Sequence, residues 1–256
     1  MYLETIRKGG GNHMKILGDY HTHTIYSHGK GTIEDNVKEA IKKGLKEIVI
    51  SDHGPGHFLF GIKESNLPIM RKEIDSLQKK YKDIKIMLGI EANIISLNGD
   101  IDVTAEQMKL LDKLLVGFHY GAYGKTIKDN NSLFISTRVG KVFKGLRDYN
   151  KNNVTKAIIN AINRHNIDIL THPGDKTEIN IAPIAEAAKL KGTLLEINAG
   201  HGHLNVENAK IALEKGADFI INSDAHISEN VGNVERGIKI ALSAGIPNHK
   251  IKNIIL

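Results

Sequence analysis

A repeating unit constrains the fold of this chain more than any other feature. A short segment rich in β-branched residues is followed by a loop and by an amphipathic segment that ends near a glycine. The repeat predicts strands at about 15–20, 47–51, 84–90, 114–118, 167–170, 193–197 and 218–221. It predicts helices at about 32–43, 66–82, 104–113, 152–165, 181–190, 206–215 and 232–243, the last of which closes the chain. Such alternation predicts an α/β protein with a parallel sheet and helices outside it.

Residues able to bind metal follow almost every predicted strand. They are His21, His23, His28, His53, Glu91, His119, His172, Asp224 and His226. An open sheet would hold its outermost strand ends too far apart to share a site, whereas closure brings all the carboxyl ends around one mouth. We therefore expect a seven-unit (β/α)7 barrel, similar to a TIM barrel, with these side chains at one end.

His21 and His23 stand two apart in an extended segment, so their rings project from the same face. Taken alone, the pair could equally be two surface histidines at a strand end. The chain has no cysteine, which leaves imidazoles and carboxylates as its strong metal ligands. An ion that is open to chemistry takes about three or four protein ligands, so nine residues suffice for two or three ions. This donor set suits zinc, manganese or iron without choosing among them.

Six short motifs carry a resemblance to a known family. They are His-Thr-His-Thr at 21–24, Ser-Asp-His-Gly-Pro at 51–55, Gly-Ile-Glu-Ala-Asn-Ile at 89–94, Gly-Phe-His at 117–119, Thr-His-Pro-Gly at 171–174 and Asn-Ser-Asp-Ala-His at 222–226. In this order they make residues 15–245 resemble the PHP (polymerase and histidinol phosphatase) superfamily, and most of all its small stand-alone phosphatases. The resemblance implies a distorted seven-stranded barrel that holds three divalent metal ions.

The resemblance also implies how the ligands divide among the ions. His21, His23, Glu91 and Asp224 would hold the first ion, with Glu91 bridging to another. His28, His53 and His226 would hold the second ion, and Glu91, His119 and His172 would hold the third. All nine residues would act in catalysis through the bound metals, which would be zinc or manganese, with iron as a further possibility. No organic cofactor is implied.

Phosphomonoester hydrolysis is the function that such a centre favours. Close metal ions lower the pKa of a bridging water, which yields a hydroxide nucleophile, and they offset charge on the phosphoryl oxygens. We expect a phosphatase acting on a small phosphorylated substrate, with histidinol phosphate as one candidate. One alternative is a 3′-5′ exonuclease or other nucleic-acid phosphodiesterase, which is disfavoured because only 5% of the residues are aromatic. Another is a non-catalytic, metal-binding regulatory module.

Two segments fall outside the repeat. Residues 1–13 contain Gly9-Gly10-Gly11 and no apolar periodicity, which predicts a flexible leader before a single domain over residues 14–256. Residues 120–149 are longer than the usual connection between elements and predict either a surface insertion or a lid. The formal net charge of +6 permits an anionic substrate. In a lid, that substrate would meet Lys125, Lys128, Arg138, Lys141, Lys144 and Arg147.

Other polar residues near the strand ends have more than one interpretation. Asp19 and Asp52 would either orient neighbouring imidazoles or cap turns. The pattern favours loop residues or phosphate contacts, rather than metal ligands, for His201 and His203, and it favours a loop residue for His57. No apolar run is long enough to span a bilayer and no secretory pattern is present, which predicts a cytoplasmic protein without a membrane partner. The oligomeric state is left open.

Overall fold

The computed structural model describes residues 14–140 and 143–255. The strands are β1 (Lys15–Ile16), β2 (Gly18–Thr22), β3 (Glu47–Ile50), β4 (Lys85–Asn93), β5 (Lys113–Gly117), β6 (Ile169–Leu170), β7 (Leu194–Asn198), β8 (Phe219–Asn222) and β9 (Ile254–Ile255). The α-helices are α1 (Ile33–Lys42), α2 (Leu67–Lys80), α3 (Ala105–Met108), α4 (Ile127–Asp129), α5 (Ser136–Gly140), α6 (Arg147–Arg164), α7 (Ile181–Lys191), α8 (Val206–Glu214) and α9 (Glu235–Ala244). Short 3₁₀ turns occupy Glu64–Asn66, Lys144–Leu146, Ser228–Asn230 and Asn248–Lys250.

Strands β2 to β8 form one parallel sheet in sequence order. The first and last of these strands meet, because Thr22 pairs in parallel with Ala225. The backbone N–H of Tyr20 also donates to Asn222 Oδ1 at 3.0 Å. The sheet is thus nearly closed, and the predicted seven-stranded (β/α)7 barrel is confirmed.

Helix boundaries follow capping signals in the sequence. Thr32 and Asp35 form a reciprocal capping box at the start of α1, which satisfies backbone N–H groups that the helix leaves free. Helix α7 ends at Gly192, whose φ of 74° lies in the left-handed region that glycine adopts without strain. Such short helices cover the outside of the barrel.

The barrel interior carries an apolar layer beneath a polar one. Tyr20, Val49, Met87, Leu115, Ile169 and Ile220 form a buried cluster, with the partly buried Leu194 against it. Because side chains alternate along a strand, every second residue faces the same interior. Glu91 lies four positions after Met87 on β4, and Glu196 lies two positions after Leu194 on β7. These strands therefore point carboxylates into the barrel, just beyond its apolar layer.

Three details of the predicted elements are wrong. The strand expected at 15–20 is divided, because β1 leaves the barrel and pairs antiparallel with β9. The helix expected to close the chain is therefore followed by a strand, and the buried Asn253 side chain ties this end to Gly18 O and Ile221 O. The helix expected at 104–113 is one turn, since Asp112 N already donates to Leu88 O in the sheet.

Residues 127–140 are helical throughout, with one stretch of π-helix at Asn130–Ile135 between α4 and α5. Leu133 and Phe134 are buried, and the Phe134 ring stacks on Phe118 with centroids 5.5 Å apart. The segment 120–149 is thus anchored by apolar packing, and α6 begins at residue 147 rather than 152.

The leader predicted at 1–13 lies outside the described residues. Among the described helices, none has the length and apolar character that a bilayer crossing requires.

Candidate metal centre

The carboxyl ends of the barrel strands bring the nine predicted ligands together. One donor atom per residue lies within 4.8 Å of the others in four overlapping groups of described residues. The groups are His23 with His28, His53 and His226; His21 with His172 and Asp224; His21 with His23 and Glu91; and His53 with Glu91 and His119. Because the groups share members, they do not divide the donors among separate ions.

Glu91 lies at the middle of the cluster and is fully buried. Its Oε1 is 2.7 Å from His172 Nε2 and 3.2 Å from His119 Nε2. Its Oε2 is 2.8 Å from His53 Nδ1 and 3.3 Å from His21 Nε2. Burial by itself would raise the pKa of Glu91, but the surrounding imidazoles hold it well below its usual range. The two oxygens of one carboxylate thus lie within 3.3 Å of four imidazole nitrogens, and a fifth, His23 Nε2, is 3.7 Å from Oε2.

Asp224 is the second carboxylate of the cluster, and it contacts His21 and His23. Its Oδ1 is 3.1 Å from His23 Nε2 and 3.5 Å from His21 Nε2. The φ of Asp224 is 56°, and that of His172 is 27°, both in a region that non-glycine residues rarely adopt. Backbone strain of this kind persists only where the surroundings enforce it, and it is concentrated at functional sites.

Several buried donor atoms have no hydrogen-bond partner within the part of the chain that the structure describes. They are His23 Nδ1, His28 Nδ1, His53 Nδ1 and Glu91 Oε2. Two of these atoms, His53 Nδ1 and Glu91 Oε2, face each other at 2.8 Å without hydrogen-bond geometry. An unpaired buried polar atom costs about 1–3 kcal/mol, so a group of such atoms at one place points to a ligand that takes their lone pairs. A divalent metal ion accepts lone pairs from imidazole and carboxylate together. The residues present therefore fit such ions.

Imidazoles bind metal in their neutral form. Burial, together with neighbouring histidines, lowers the pKa of His28 to about 3. Burial also lowers the pKa of His119 to about 4. His21 differs, because the nearby carboxylates, Glu196 first, outweigh burial and raise its pKa well above its ordinary value. The pKa of His172 is also raised, because the charge of Glu91 outweighs burial there. The lowered pKa values leave His28 and His119 in the neutral form that binds metal.

Second contacts fix the orientation of three of these rings. His21 Nδ1 is 2.8 Å from Glu196 Oε1, and His119 Nδ1 is 2.7 Å from Asn93 Oδ1. His226 Nδ1 is 2.9 Å from the carbonyl oxygen of Asp224. A partner on one ring nitrogen selects the tautomer and directs the other nitrogen elsewhere, as is usual for metal-binding histidines. For His21 and His119 that other nitrogen faces Glu91.

Glu196 is a site residue that the sequence did not predict. It is fully buried, and its two oxygens accept hydrogen bonds from four groups: His21 Nδ1, His172 N, Asn198 Nδ2 and Asn222 Nδ2. Burial alone would raise the pKa of Glu196, but the charge and hydrogen bond of His21 keep it below its usual value. The sequence did contain one signal for Glu196: it is a single acid within the mostly apolar strand Leu194–Asn198, where a buried acid usually has a partner.

Asp19 and Asp52 tie distant segments together, rather than orienting imidazoles or capping turns of their own. Asp19 accepts from the backbone N–H groups of Ser223 and Gly232, which ties β2 to the loop after β8. Asp52 accepts from the backbone N–H and the hydroxyl of Thr24. Both carboxylates therefore hold the loops that carry the ligands, not the rings themselves.

Three further histidines that the sequence placed near the strand ends lie close to the cluster. His57 is a buried loop residue whose Nδ1 accepts from Phe60 N at 3.1 Å. His201 Nε2 is 3.3 Å from Asp224 Oδ2, whereas His203 Nε2 is 3.5 Å from Asp175 Oδ1. The side chains of His201 and His203 are partly exposed, as are those of His28 and His226 in the cluster, whereas the other five imidazoles of the cluster are buried.

A cavity of about 510 Å³ opens above the cluster. Seven of the nine predicted ligands line this cavity. Its lining also includes two cationic side chains, Arg138 and Lys176, and an apolar run, Phe58-Leu59-Phe60. Of the six cations expected in a lid, Arg138 lines this cavity and Arg147 lines a neighbouring groove. Lys125 pairs with Asp100 at 2.9 Å, and Lys128 is exposed. Lys141 and the side chain of Lys144 lie outside what the structure describes.

A solved structure shares this fold. The histidinol phosphate phosphatase of Lactococcus lactis subsp. lactis, complexed with zinc, L-histidinol and phosphate, superposes with a TM-score of 0.64. The match covers 90% of this chain and 94% of that chain at 19% sequence identity. At that identity the likeness concerns the fold.

Sequence comparison identifies the family. The family model for the PHP domain matches residues 19–223. A probable phosphatase of Thermoanaerobacter sp. strain X514 is 34% identical over 256 residues, which cover 94% of this chain and 91% of the relative. A probable phosphatase of Proteus mirabilis strain HI4320 is 32% identical over 253 residues, with 92% and 89% covered. Because the match spans nearly the whole barrel, the chain belongs to the PHP domain family.

Proposed function

We propose that the protein is a metal-dependent phosphatase that hydrolyses small phosphomonoesters at a centre of three divalent ions. The observation that carries this proposal is the convergence of nine imidazole and carboxylate donors, four of whose buried atoms have no hydrogen-bond partner among the described residues. The names of the curated relatives, probable phosphatases, support the reaction class. The zinc, L-histidinol and phosphate described for the Lactococcus lactis neighbour support zinc and a small phosphorylated substrate.

We assign the donors as the family resemblance implies. His21, His23, Glu91 and Asp224 would hold one ion, His28, His53 and His226 a second, and Glu91, His119 and His172 a third. The contacts of Glu91 with four imidazoles support its bridging role. When bound, such ions supply Lewis acidity toward phosphoryl oxygens and lower the pKa of a nearby water.

The chain's own residues supply positioning and charge. Glu196 and Asn93 fix the rings of His21 and His119, so the donor atoms are arranged before any ligand binds. Arg138 and Lys176 line the cavity and would bind the phosphate oxygens that the donors leave free. The cavity volume of about 510 Å³ suits a small molecule better than a nucleic-acid duplex.

Phosphate release from p-nitrophenyl phosphate tests this function. Protein reloaded with zinc or manganese is expected to turn over, and chelator is expected to abolish the release. A panel led by histidinol phosphate would then rank substrates. Cleavage of bis-p-nitrophenyl phosphate alone would favour a phosphodiesterase, and no turnover by folded, metal-loaded protein would favour a non-catalytic metal-binding module.

We predict that substitution of Arg138 weakens substrate binding. Arg138 on α5 lies over the Tyr120 ring, with its guanidinium carbon 5.8 Å from the ring centroid, and donates to Tyr120 O, which holds it at the cavity. Arg138→Ala is expected to lower kcat/KM for p-nitrophenyl phosphate about tenfold or more, mostly through KM. Lys125→Ala is the matched control, since Lys125 lies on the same segment but pairs with Asp100 outside the cavity. Equal kinetics for the two variants would contradict a substrate role for residues 120–149.

Removal of metal is expected to lower thermal stability. Ions that bind only the folded state stabilise it by about 4 kcal/mol at a thousandfold excess over Kd. For a chain of this size that corresponds to about 10 °C in Tm. Differential scanning calorimetry of chelator-treated and reloaded protein measures the shift, with metal content followed by elemental analysis. Identical melting curves for metal-free and metal-loaded protein would contradict the proposed centre.

A further inference from the structure

Asp102, which follows β4 in the chain, bears a carboxylate to which the proposed function gives no role. Its Oδ1 accepts from Asn93 N at 2.7 Å, and its Oδ2 accepts from Gly56 N at 2.7 Å and from Asn93 Nδ2. Burial raises the pKa of Asp102 to about 6. At about pH 8 the group is therefore still an ionised carboxylate, which accepts hydrogen bonds and cannot donate one.

The side-chain amide of Asn93 lies between Asp102 and His119. Asn93 is fully buried on β4; its Nδ2 donates to Asp102 Oδ2, and its Oδ1 is 2.7 Å from His119 Nδ1. A second acceptor for Nδ2, Gly54 O, is 3.5 Å away, beyond the usual hydrogen-bond distance. Because an ionised carboxylate can only accept, Asp102 keeps the N–H₂ side of this amide toward itself. The oxygen of Asn93 is consequently left facing His119.

The Asn93 oxygen in turn decides which nitrogen of His119 carries the proton. Burial lowers the pKa of His119 to about 4, so at about pH 8 the ring is neutral, with one N–H and one lone pair. Since Nδ1 faces an acceptor, the N–H belongs there and the lone pair belongs to Nε2. Nε2 lies 3.2 Å from Glu91 Oε1, inside the donor cluster. The lone pair is therefore directed to where a metal ion would bind.

Close packing protects this arrangement from water. A Cβ atom added at Gly54 would lie 2.5 Å from both carboxylate oxygens of Asp102, and one added at Gly56 would lie 2.8 Å from Oδ2. Only glycine therefore fits at these two positions, and the loop backbone covers the carboxylate. A water molecule has little room to replace Asp102 as the partner of the buried Asn93 amide.

We propose that Asp102 is a positioning residue, which acts through the Asn93 amide to hold His119 in the tautomer that binds metal. We call these three residues the triad. The inference rests on the proposed metal centre, in which His119 is a ligand. A carboxylate that orients a metal-binding histidine commonly contacts the ring directly, whereas in the triad an amide stands between the carboxylate and the ring.

The tautomer of His119 can be measured in the metal-free protein. ¹⁵N NMR of labelled histidine distinguishes the protonated from the unprotonated ring nitrogen, and the His119 signals are those that disappear in His119→Gln. In the wild type, the proton is expected on Nδ1. Asp102→Asn introduces an amide that can donate to the Asn93 oxygen, so the Asn93 amide can reverse and present Nδ2 to His119. We expect about half of the molecules to carry the proton on Nε2, because either orientation of the new amide leaves one backbone N–H unpaired.

Zinc affinity is the second measurement, made by competition with a chromophoric chelator. Asp102→Asn is expected to bind one of its ions about tenfold more weakly, because His119 loses both its fixed tautomer and the negative charge behind it. Asp100→Asn is the matched control, since Asp100 lies on the same loop but contacts Ser96 and Lys125 instead. This control is expected to keep the wild-type tautomer and affinity.

Exchange of two side chains separates positioning from a structural role. In the double variant Asn93→Asp with Asp102→Asn, the new carboxylate accepts from His119 Nδ1 and from the new amide, whereas Gly56 N still lacks an acceptor. Zinc affinity is expected to return to within about threefold of wild type, while thermal stability stays lower. A role in folding alone predicts instead that affinity and stability both stay low.

The proposed function and this inference can fail separately. If metal-loaded protein releases no phosphate, the proposed function fails, whereas the tautomer of the metal-free protein still tests Asp102. A His119 ring that keeps its proton on Nδ1 in Asp102→Asn would overturn the inference, and so would a double variant whose zinc affinity is as low as that of Asp102→Asn. If Asp102→Asn does not fold, Asn93→Ala cuts the triad and leaves both backbone contacts of Asp102 intact. A proton still confined to Nδ1 in that variant would refute the role of the triad.

Discussion

Glu91→Gln is expected to remove metal from the protein and to reduce phosphate release by about a thousandfold or more, because several kcal/mol of transition-state stabilisation depend on the ions. Glu91 is fully buried and faces four imidazoles, and its Oε1 also accepts from Thr171 Oγ1 at 2.7 Å. Glutamine keeps the shape of the side chain but replaces one oxygen by an amide nitrogen without a lone pair for metal. The substitution therefore tests coordination rather than packing.

Metal content and activity should fall together in Glu91→Gln. Elemental analysis of the purified variant gives the number of bound ions, and circular dichroism establishes that the barrel is folded. Glu106→Gln is the matched control, because Glu106 is an exposed acid that pairs with Lys109 on the surface, away from the cluster. A variant at Glu91 that retains the wild-type metal content and turns over within about threefold of wild type would rule out the bridging role.

The donor cluster could be predicted from sequence because each member follows a recognisable strand. His21 and His23 are adjacent to a short apolar run, and the two-residue period of a strand places their rings on one face. The number of such strand ends then favours a closed barrel, because closure brings all of them to one mouth. Local patterns sufficed here because each predicted ligand lies within a few residues of the strand that positions it.

Contacts between distant strands could not be predicted in the same way. Strands β1 and β9 contain two residues each, too few to show periodicity, and they join opposite ends of the chain. The exposure of Phe58, Leu59 and Phe60 could not be predicted either, since an apolar run of this kind normally indicates burial. Its exposure is apparent only once the loop is seen to be held by residues 121–123.

Glu196 shows why part of the site was missed. An acid inside a strand can face solvent or the interior, and only the closed barrel shows that this one faces inward. Its partners include His21 on β2, Asn222 on β8 and His172 two residues after β6, so no local pattern links them. Two of the four hydrogen bonds that it accepts hold predicted ligands, His21 and His172, in place.

Glu196→Gln is expected to lower metal affinity about 10- to 100-fold, the usual effect of losing a partner that orients a metal-binding histidine. All four contacts of Glu196 come from N–H donors, so either orientation of the new amide leaves its N–H₂ group against two of them. In one orientation His21 loses the acceptor that fixes its tautomer. In the other, His172 N, which donates at 2.8 Å from a strained backbone, loses its acceptor.

Competition with a chromophoric chelator measures the metal affinity of Glu196→Gln, and urea unfolding of the metal-free protein measures its stability. Unpaired buried donors are expected to reduce the free energy of unfolding by about 2–4 kcal/mol in the absence of metal. Glu186→Gln, which alters an exposed acid paired with Lys215, serves as the control. A purely structural role would lower stability and leave metal affinity at the wild-type value. A joint loss of affinity and stability is what a carboxylate that positions His21 requires.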